Sequence, residues 1–438
     1  MMAQMSNANP HWRRLSRLTG LLVAFAMGQG SLQIINLLGN LYLLRALSID
    51  NYAQFSLALA FQNTAVSLTS LTLTDAIIPL VGPRTGDRAI VGRYVRAAQR
   101  VRTMLYLTVL PVCILSFLLV FGRHAWPRSS EWALLSCVVL SLYFSIQLSC
   151  YSAPLIMARR LYTYYLAQTV PSALKLACYV VLASVRMLSA GGAAAIGALS
   201  ILLSALMTRT RTADLMTLPA HSDPTARREI VSLVLPSLPA SLFSAFQPQL
   251  ALLLVSIFGQ SIQIAEIGAL SRIAQMFLIL NTANALLVEP YIARLPPDRL
   301  ASAYVRILSL AFALEATLVA AVFVYPAPLL LLLGPRYTDL GAMVPWVVLA
   351  ASLSTFSNLI WVMNRGRRWI FWRGSILEVA CLTLFQVGYV WLVGVRSLET
   401  AVLFMLCGGA ANLVAHAYVT SYGFAAHRHP LPQPARAL

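Results

Sequence analysis

The stretch Arg102-Thr103-Met104-Leu105-Tyr106-Leu107-Thr108-Val109-Leu110-Pro111-Val112-Cys113-Ile114-Leu115-Ser116-Phe117-Leu118-Leu119-Val120-Phe121-Gly122-Arg123 decides the fold. No charge lies between its two arginines. Coiled as a helix, the interval is about 30 Å long, the thickness of a bilayer's hydrocarbon core. The rest of the chain repeats this unit: a long apolar run, then a short basic cluster. Only 11% of the 438 residues are charged, 59% are hydrophobic, and the mean hydropathy is +0.74. A soluble domain with so little polar surface could not cover itself in water. The chain reads as an all-α polytopic membrane protein whose function lies inside a helical bundle.

Twelve spans are predicted, at 18–43, 52–80, 103–122, 132–157, 162–185, 190–207, 230–258, 265–290, 303–325, 341–363, 374–394 and 398–420. Assigned to alternate sides, the connections hold 24 basic residues on one side and 6 on the other, with Lys175 and Arg272 inside spans. The rich side includes the six arginines of 84–102. The poor side holds Arg45, Arg123, Arg128, Arg186, Arg336 and Arg396. Lys/Arg enrichment marks the cytoplasmic side, so both termini are expected there. A miscount of one span would destroy the bias. The net charge of +18 is mostly this orientation signal together with contact to anionic headgroups. No loop is long enough to carry a basic nucleic-acid-binding face. The first span is too long for a cleaved secretory signal and runs through a short hinge into the second.

Several chemistries are excluded. There is no GxxxxGK[ST] loop, and the only lysine, Lys175, follows Leu174 instead of glycine. Gly28 and Gly30 begin a GxG, but Gln33 fills the third glycine position inside a span. The six cysteines lie in predicted spans without CxxC spacing and read as small apolar residues. Of the histidines, only His416 is in a span, as a packing residue. No metal or cofactor site is expected, and nothing points to an enzyme.

The longest hydrophilic stretch, 208–229, divides the spans six and six. It predicts an N-terminal bundle over 1–207, a cytoplasmic linker over 208–229 and a C-terminal bundle with a cytoplasmic tail over 230–438. Spans one and seven each pass through a short exterior hinge into the next span. Six spans per half make the halves parallel repeats, as in secondary transporters that rock about a central cavity.

Polar residues sort onto helix faces. Gln29, Gln33, Asn36 and Asn40 follow i, i+4, i+7, i+11 on the first span. Asn63, Ser67, Ser70 and Thr74 repeat that spacing on the second, and Ser237, Ser241 and Ser244 begin it on the seventh. On the eighth, Arg272, Gln275, Thr282 and Glu289 share a face. Such faces should turn away from lipid. They either bond helices together or line a cavity. Intramembrane charges are functional candidates: Arg272, and Lys175 just after Pro171, for an anionic ligand, with Asp75, Glu289 and Glu315 as coupling-ion candidates. Glu378, near a helix end, reads as structural.

The stretch Tyr42-Leu43-Leu44-Arg45-Ala46-Leu47-Ser48-Ile49-Asp50-Asn51-Tyr52-Ala53-Gln54-Phe55 resembles the hinge of the Wzx-like polysaccharide biosynthesis flippases of the MATE/MOP superfamily. Leu332-Leu333-Gly334-Pro335-Arg336-Tyr337 resembles that family's segment before span ten. Ala53 replaces the usual glycine, and Asp75 stands where the family is more often neutral. The resemblance implies two bundles about a central cavity, working by alternating access in the bacterial inner membrane. The implied substrate is an undecaprenyl-pyrophosphate-linked oligosaccharide for O-antigen, exopolysaccharide or capsule. It also implies a polysaccharide polymerase and a chain-length regulator as partners. An arginine on span eight, here Arg272, is the implied pyrophosphate contact. Lys175, Arg45, Gln29, Gln33, Asn36, Asn40 and Gln275 are the further substrate-binding candidates. A pyrophosphate suits cations, and sugars suit amides. Two alternatives stay open: a cation-coupled multidrug exporter relying on buried acids such as Asp75, and a membrane-embedded transferase or polymerase of lipid-linked sugars, which would typically need a larger exterior loop.

Overall fold

The computed structural model describes the backbone of residues 10–428 except 71–76, 78–79, 82–83, 85, 125, 159, 236–237, 368, 370 and 396, and most side chains from Gly28 onward. All regular structure among the described residues is helical. Ten helices there are long and apolar enough to cross a bilayer. Pro10–Ala46 and Ile49–Ser70 precede them, which makes about twelve.

Helix ends sit where capping chemistry stands. Asp87 accepts from the amides of Ala89 and Ile90 and starts the third helix, Arg88–Phe121. Ser189 caps Ala190–Thr212 through the amide of Gly192. Asp223 with Pro224 behind it starts Pro224–Val234. Two expectations are corrected here. The stretch 84–102 was expected to be a loop, yet it is helical from Arg88, because hydropathy marks where a helix enters lipid and not where it begins. Helix Ala190–Thr212 likewise continues past 207, which narrows the non-helical part of the linker.

Spans seven and eight are not single rods. The seventh consists of Pro224–Val234, Leu238–Phe246, a 3₁₀ turn at Gln247–Gln249 around Pro248, and Leu250–Phe258. The eighth runs Ser261–Met276, Leu278–Ala283, a π turn at Asn284–Val288 and Glu289–Arg294. Proline removes a backbone donor and forces the first break.

Three buried clusters organise the packing. One joins both halves of the chain at the arginine-poor face, with Leu43, Leu47 and Tyr52 against Ile264, Leu333 and Leu340. The other two are separate and lie toward the arginine-rich face. One holds Val91, Val95, Met216 and Ile230; the other holds Ile292, Tyr304, Met363 and Trp369. The two halves thus share a core at the arginine-poor end; toward the other end one cluster joins the third helix to Pro224–Val234, and the other lies wholly within the C-terminal half.

Candidate functional site

The turn between the first two helices builds the junction. Ser48 Oγ accepts from the Asn51 amide (3.3 Å) and from Asn51 Nδ2 (2.8 Å). Asn51 Oδ1 then accepts from the Ala190 amide at 3.1 Å and ties the turn to the sixth helix. Tyr52, fully buried, receives Arg272 Nε on its hydroxyl at 3.1 Å. Arg45 donates to the carbonyl of Leu331, and Arg336 Nη1 donates to the carbonyl of Leu47 at 2.6 Å. The two stretches that carry the family resemblance are therefore joined across the halves by Arg336 to Leu47, and Arg45 reaches the residue just before the second stretch. Gly334 makes this possible: it sits at φ 97°, and a Cβ there would press on Arg45 Cγ at 3.2 Å.

Just inside this junction lies a cavity of about 220 Å³ within the N-terminal bundle. The first helix contributes Asn36 and Asn40. The fifth, Leu161–Ser184, contributes Gln168, Ser172, Lys175 and Tyr179. Gln62, Ser200 and Ser204 complete the polar wall. Lys175 Nζ donates to Asn36 Oδ1 at 2.8 Å, and Asn40 Nδ2 donates to Gln275 Oε1 across the halves at 3.2 Å. Among the described residues no carboxylate lines this cavity. Arg272 lies one turn before Gln275 on the eighth span, whose amide Asn40 holds at the cavity wall. A charged lysine inside the membrane with one amide for a partner is costly unless an anion joins it.

The predicted residues are distributed unevenly. Asn36, Asn40 and Lys175 come together on the cavity, and Gln275 reaches it through Asn40. Arg272 is 2% exposed and is bound to Tyr52 instead of lining the cavity wall. Arg45 is at the junction. Gln29 and Gln33 are half-buried farther along the first helix, where Gly28 packs on Tyr165. Glu289 is in a two-pronged ion pair with Arg365, Nε to Oε1 at 2.9 Å and Nη2 to Oε2 at 2.5 Å. Glu315 is buried and accepts from Ser352 Oγ at 2.7 Å. Asp75 and Thr74 lie outside the described residues. The sequence reading overlooked Gln168, Ser172 and Tyr179. With Lys175 they repeat the i, i+4, i+7, i+11 spacing already noted on the first span, so the same angular test on the fifth finds them.

No protein-family model matches the chain, and no curated protein matches it by sequence. Solved structures match its fold. An inward-facing multidrug resistance MATE family transporter of the MOP superfamily superposes with a TM-score of 0.68, over 91% of this chain and 96% of its own, at 14% identity. The lipid II flippase MurJ, in an inward closed conformation, gives 0.64 over 92% and 87% at 10% identity. A MOP superfamily transporter from Pyrococcus furiosus, noted for the reverse polarity of its binding pocket, gives 0.61 over 93% and 95% at 14% identity. The class is thus fixed at the level of fold. This is a multi-pass membrane protein with the MATE-like arrangement that a multidrug resistance transporter and a lipid II flippase share.

Proposed function

We propose that the chain is a flippase that carries an undecaprenyl-pyrophosphate-linked oligosaccharide across the bacterial inner membrane, for cell-surface polysaccharide synthesis, by alternating access. The observation that carries this reading is the cavity: among the described residues it is lined by amides, hydroxyls and one lysine, with no carboxylate. A cationic drug would find no counter-charge there. A pyrophosphate would bring Lys175 the anion it faces without, with Arg272, one turn before Gln275, adding positive potential. The amides match sugar hydroxyls. At about 220 Å³ the cavity is smaller than the ~300–1,000 Å³ of sites that enclose a drug-sized ligand. It suits the pyrophosphate and the adjoining sugar.

The arginine-rich face is the cytoplasmic one in this reading, with residues 1–207 and 230–438 moving as two bodies about the 208–229 linker. The junction at Tyr52, Arg272, Arg45 and Arg336 is then the periplasmic gate, closed here. A polymerase and a chain-length regulator would act on the product outside. The second reading, a cation-coupled exporter, draws on buried Glu315. The test is Lys175→Ala in cells that depend on this chain for surface polysaccharide. Loss of the polysaccharide at unchanged protein level in the membrane is expected, and Lys175→Arg should retain part of it. Normal polysaccharide from the alanine variant would remove the proposal's main support.

A further inference from the structure

A second and larger cavity, about 770 Å³, lies on the N-terminal bundle at its arginine-rich end. Three helix faces form it. The third helix presents Arg96, Gln99, Arg100 and Thr103. The fourth, Arg128–Met157, presents Tyr143, Phe144, Gln147 and Tyr151. The sixth presents Leu202, Ala205, Leu206 and Arg209. The linker crosses one end with His221 and Ser222, beside Arg227.

The lining is graded along the membrane normal. Arg96, Arg100, Arg209 and Arg227 crowd one end. Tyr143, Phe144, Leu202 and Leu206 occupy the other, and Tyr143 and Leu206 are 42% and 47% exposed. Leu202 and Arg209 are seven residues apart on one helix, about 10 Å at 1.5 Å per residue. The groove therefore runs from a cationic rim into the apolar depth of one leaflet.

The cations lack anions. The three carboxylates of the neighbouring linker and helix start are engaged elsewhere: Asp214 with Arg160, Asp223 with Arg93, and Glu229 with the Tyr94 hydroxyl. No described carboxylate forms an ion pair with Arg96, Arg100, Arg209 or Arg227. Arg96 reaches only the carbonyl of Ala220, at 3.4 Å. Two buried polar atoms on the rim, Arg227 Nε and Ser222 Oγ, have no hydrogen-bond partner. Orientation alone accounts for arginines on this side, but not for four gathered around one groove with buried donors unsatisfied.

We infer that this groove is a binding site for an anionic glycerophospholipid of the arginine-rich leaflet. The phosphate sits among Arg96, Arg100, Arg209 and Arg227, and an acyl chain lies over Tyr143, Phe144 and Leu206. A free phosphate would use only the rim and leave the apolar half uncovered. A zwitterionic lipid carries its own cation to a site already crowded with them. The groove opens on the bundle's flank, separate in its lining from the Lys175 cavity, so the inference does not depend on what the chain transports. Because the linker forms one wall, an occupied groove holds the linker against the third helix.

The test is native mass spectrometry of the purified full chain, delipidated and then titrated with phosphatidylglycerol or phosphatidylcholine. One phosphatidylglycerol should be retained in preference to phosphatidylcholine. The pair Arg100→Gln/Arg209→Gln should weaken it about 30-fold, each arginine near an anionic headgroup being worth about fivefold. The pair Arg211→Gln/Arg228→Gln removes the same charge outside the groove and should leave retention unchanged. Equal retention of the two lipids would overturn the site, a result that needs no variant. So would unchanged retention in the groove pair, equal weakening by the control pair, or displacement by millimolar inorganic phosphate, which would mark a headgroup-only anion site.

Discussion

The N- and C-terminal bundles contain similar polar residues and use them differently. In the C-terminal bundle a central set of them satisfies itself, although the Tyr389 hydroxyl and Asn412 Oδ1 are left without a partner among the described residues. Ser357 Oγ meets His416 Nδ1 at 2.9 Å, and Glu378 lies 3.8 Å from His416 Nε2. Trp361 stacks on the same imidazole. Asn364 accepts from the Tyr304 and Thr420 hydroxyls and donates to the His416 carbonyl. Gln247 and Gln386 exchange two bonds, at 2.8 and 3.0 Å. In the N-terminal bundle the amides and Lys175 surround open space. A polar group whose partners are all protein is glue, and one that borders a cavity keeps bonding capacity for a ligand. The contrast also separates the two intramembrane charges: each has one side-chain partner, Ser352 for Glu315 and Asn36 for Lys175, but only Lys175 borders the cavity.

The largest expected effect is at the interface that lets the bundles close. A Cβ on Gly268 would meet Ser56 Oγ at 2.6 Å and Ser56 Cβ at 2.9 Å. Gly268→Leu should hold the arginine-poor end apart and abolish transport. With the native cysteines replaced, a cysteine at buried Ala53 should then react with an impermeant thiol reagent from that side, and stay hidden without the leucine. Equal reactivity in both backgrounds would mean that closure does not run through this contact.

Next in size is the C-terminal network. His416→Ala strips partners from Ser357 and Glu378 and should cost about 1–3 kcal/mol of stability. Its thermal midpoint in detergent should fall, while the spectrum of accepted glycans stays the same. A changed glycan preference would move this cluster from packing to function. Asn36→Leu should do the reverse. A single intramembrane hydrogen bond is worth about 0.6 kcal/mol, so folding should tolerate the change. Flipping of the native and of a truncated glycan lipid should change unequally. Equal losses that follow protein abundance would make Asn36 glue like its counterparts.

The smallest effect concerns exposed pairs. The hydrogen bond from Arg160 holds the Asp214 carboxyl below the ordinary aspartate value, and the Thr225 hydroxyl does the same for Asp223. Depressed carboxylates contribute stability that is complete above the ordinary aspartate value and is lost as pH falls through and below it. Both groups are at the surface, so the contribution is small. A spin label at Ala220 should be more mobile near pH 3 than at pH 7 and unchanged between pH 6 and 8. A change confined to the neutral range would contradict this account.

Much of the fold was legible because burial in lipid writes itself into composition: a run such as 103–122 has no other solvent. What hydropathy could not show is where helices continue in water, as from Arg88, or break inside the bilayer, as around Pro248 and at 284–288. The site was half legible. Helical spacing put Asn36 and Asn40 on one face, and intramembrane charge singled out Lys175. Arg272 shows the limit. Its charge was visible, but its partner Tyr52 stands 220 positions away, and only the packing of the second helix on the eighth brings them together. Glu289 likewise gained an ion pair from Arg365, a residue read as an orientation signal.

The central claim is that the open cavity serves an anion through Lys175, while Glu315, bonded to Ser352, lines neither of the two cavities. Direct binding to the purified chain tests it: undecaprenyl diphosphate and a cationic dye, each titrated against the unaltered protein, Lys175→Ala and Glu315→Gln. Undecaprenyl diphosphate should bind the unaltered chain and Glu315→Gln alike and lose at least about tenfold in affinity with Lys175→Ala, one charge-assisted bond being worth about 1.5–3 kcal/mol. The dye should bind none of them well. Tight dye binding that Glu315→Gln removes and Lys175→Ala leaves intact would contradict the claim and make the chain a cation exporter.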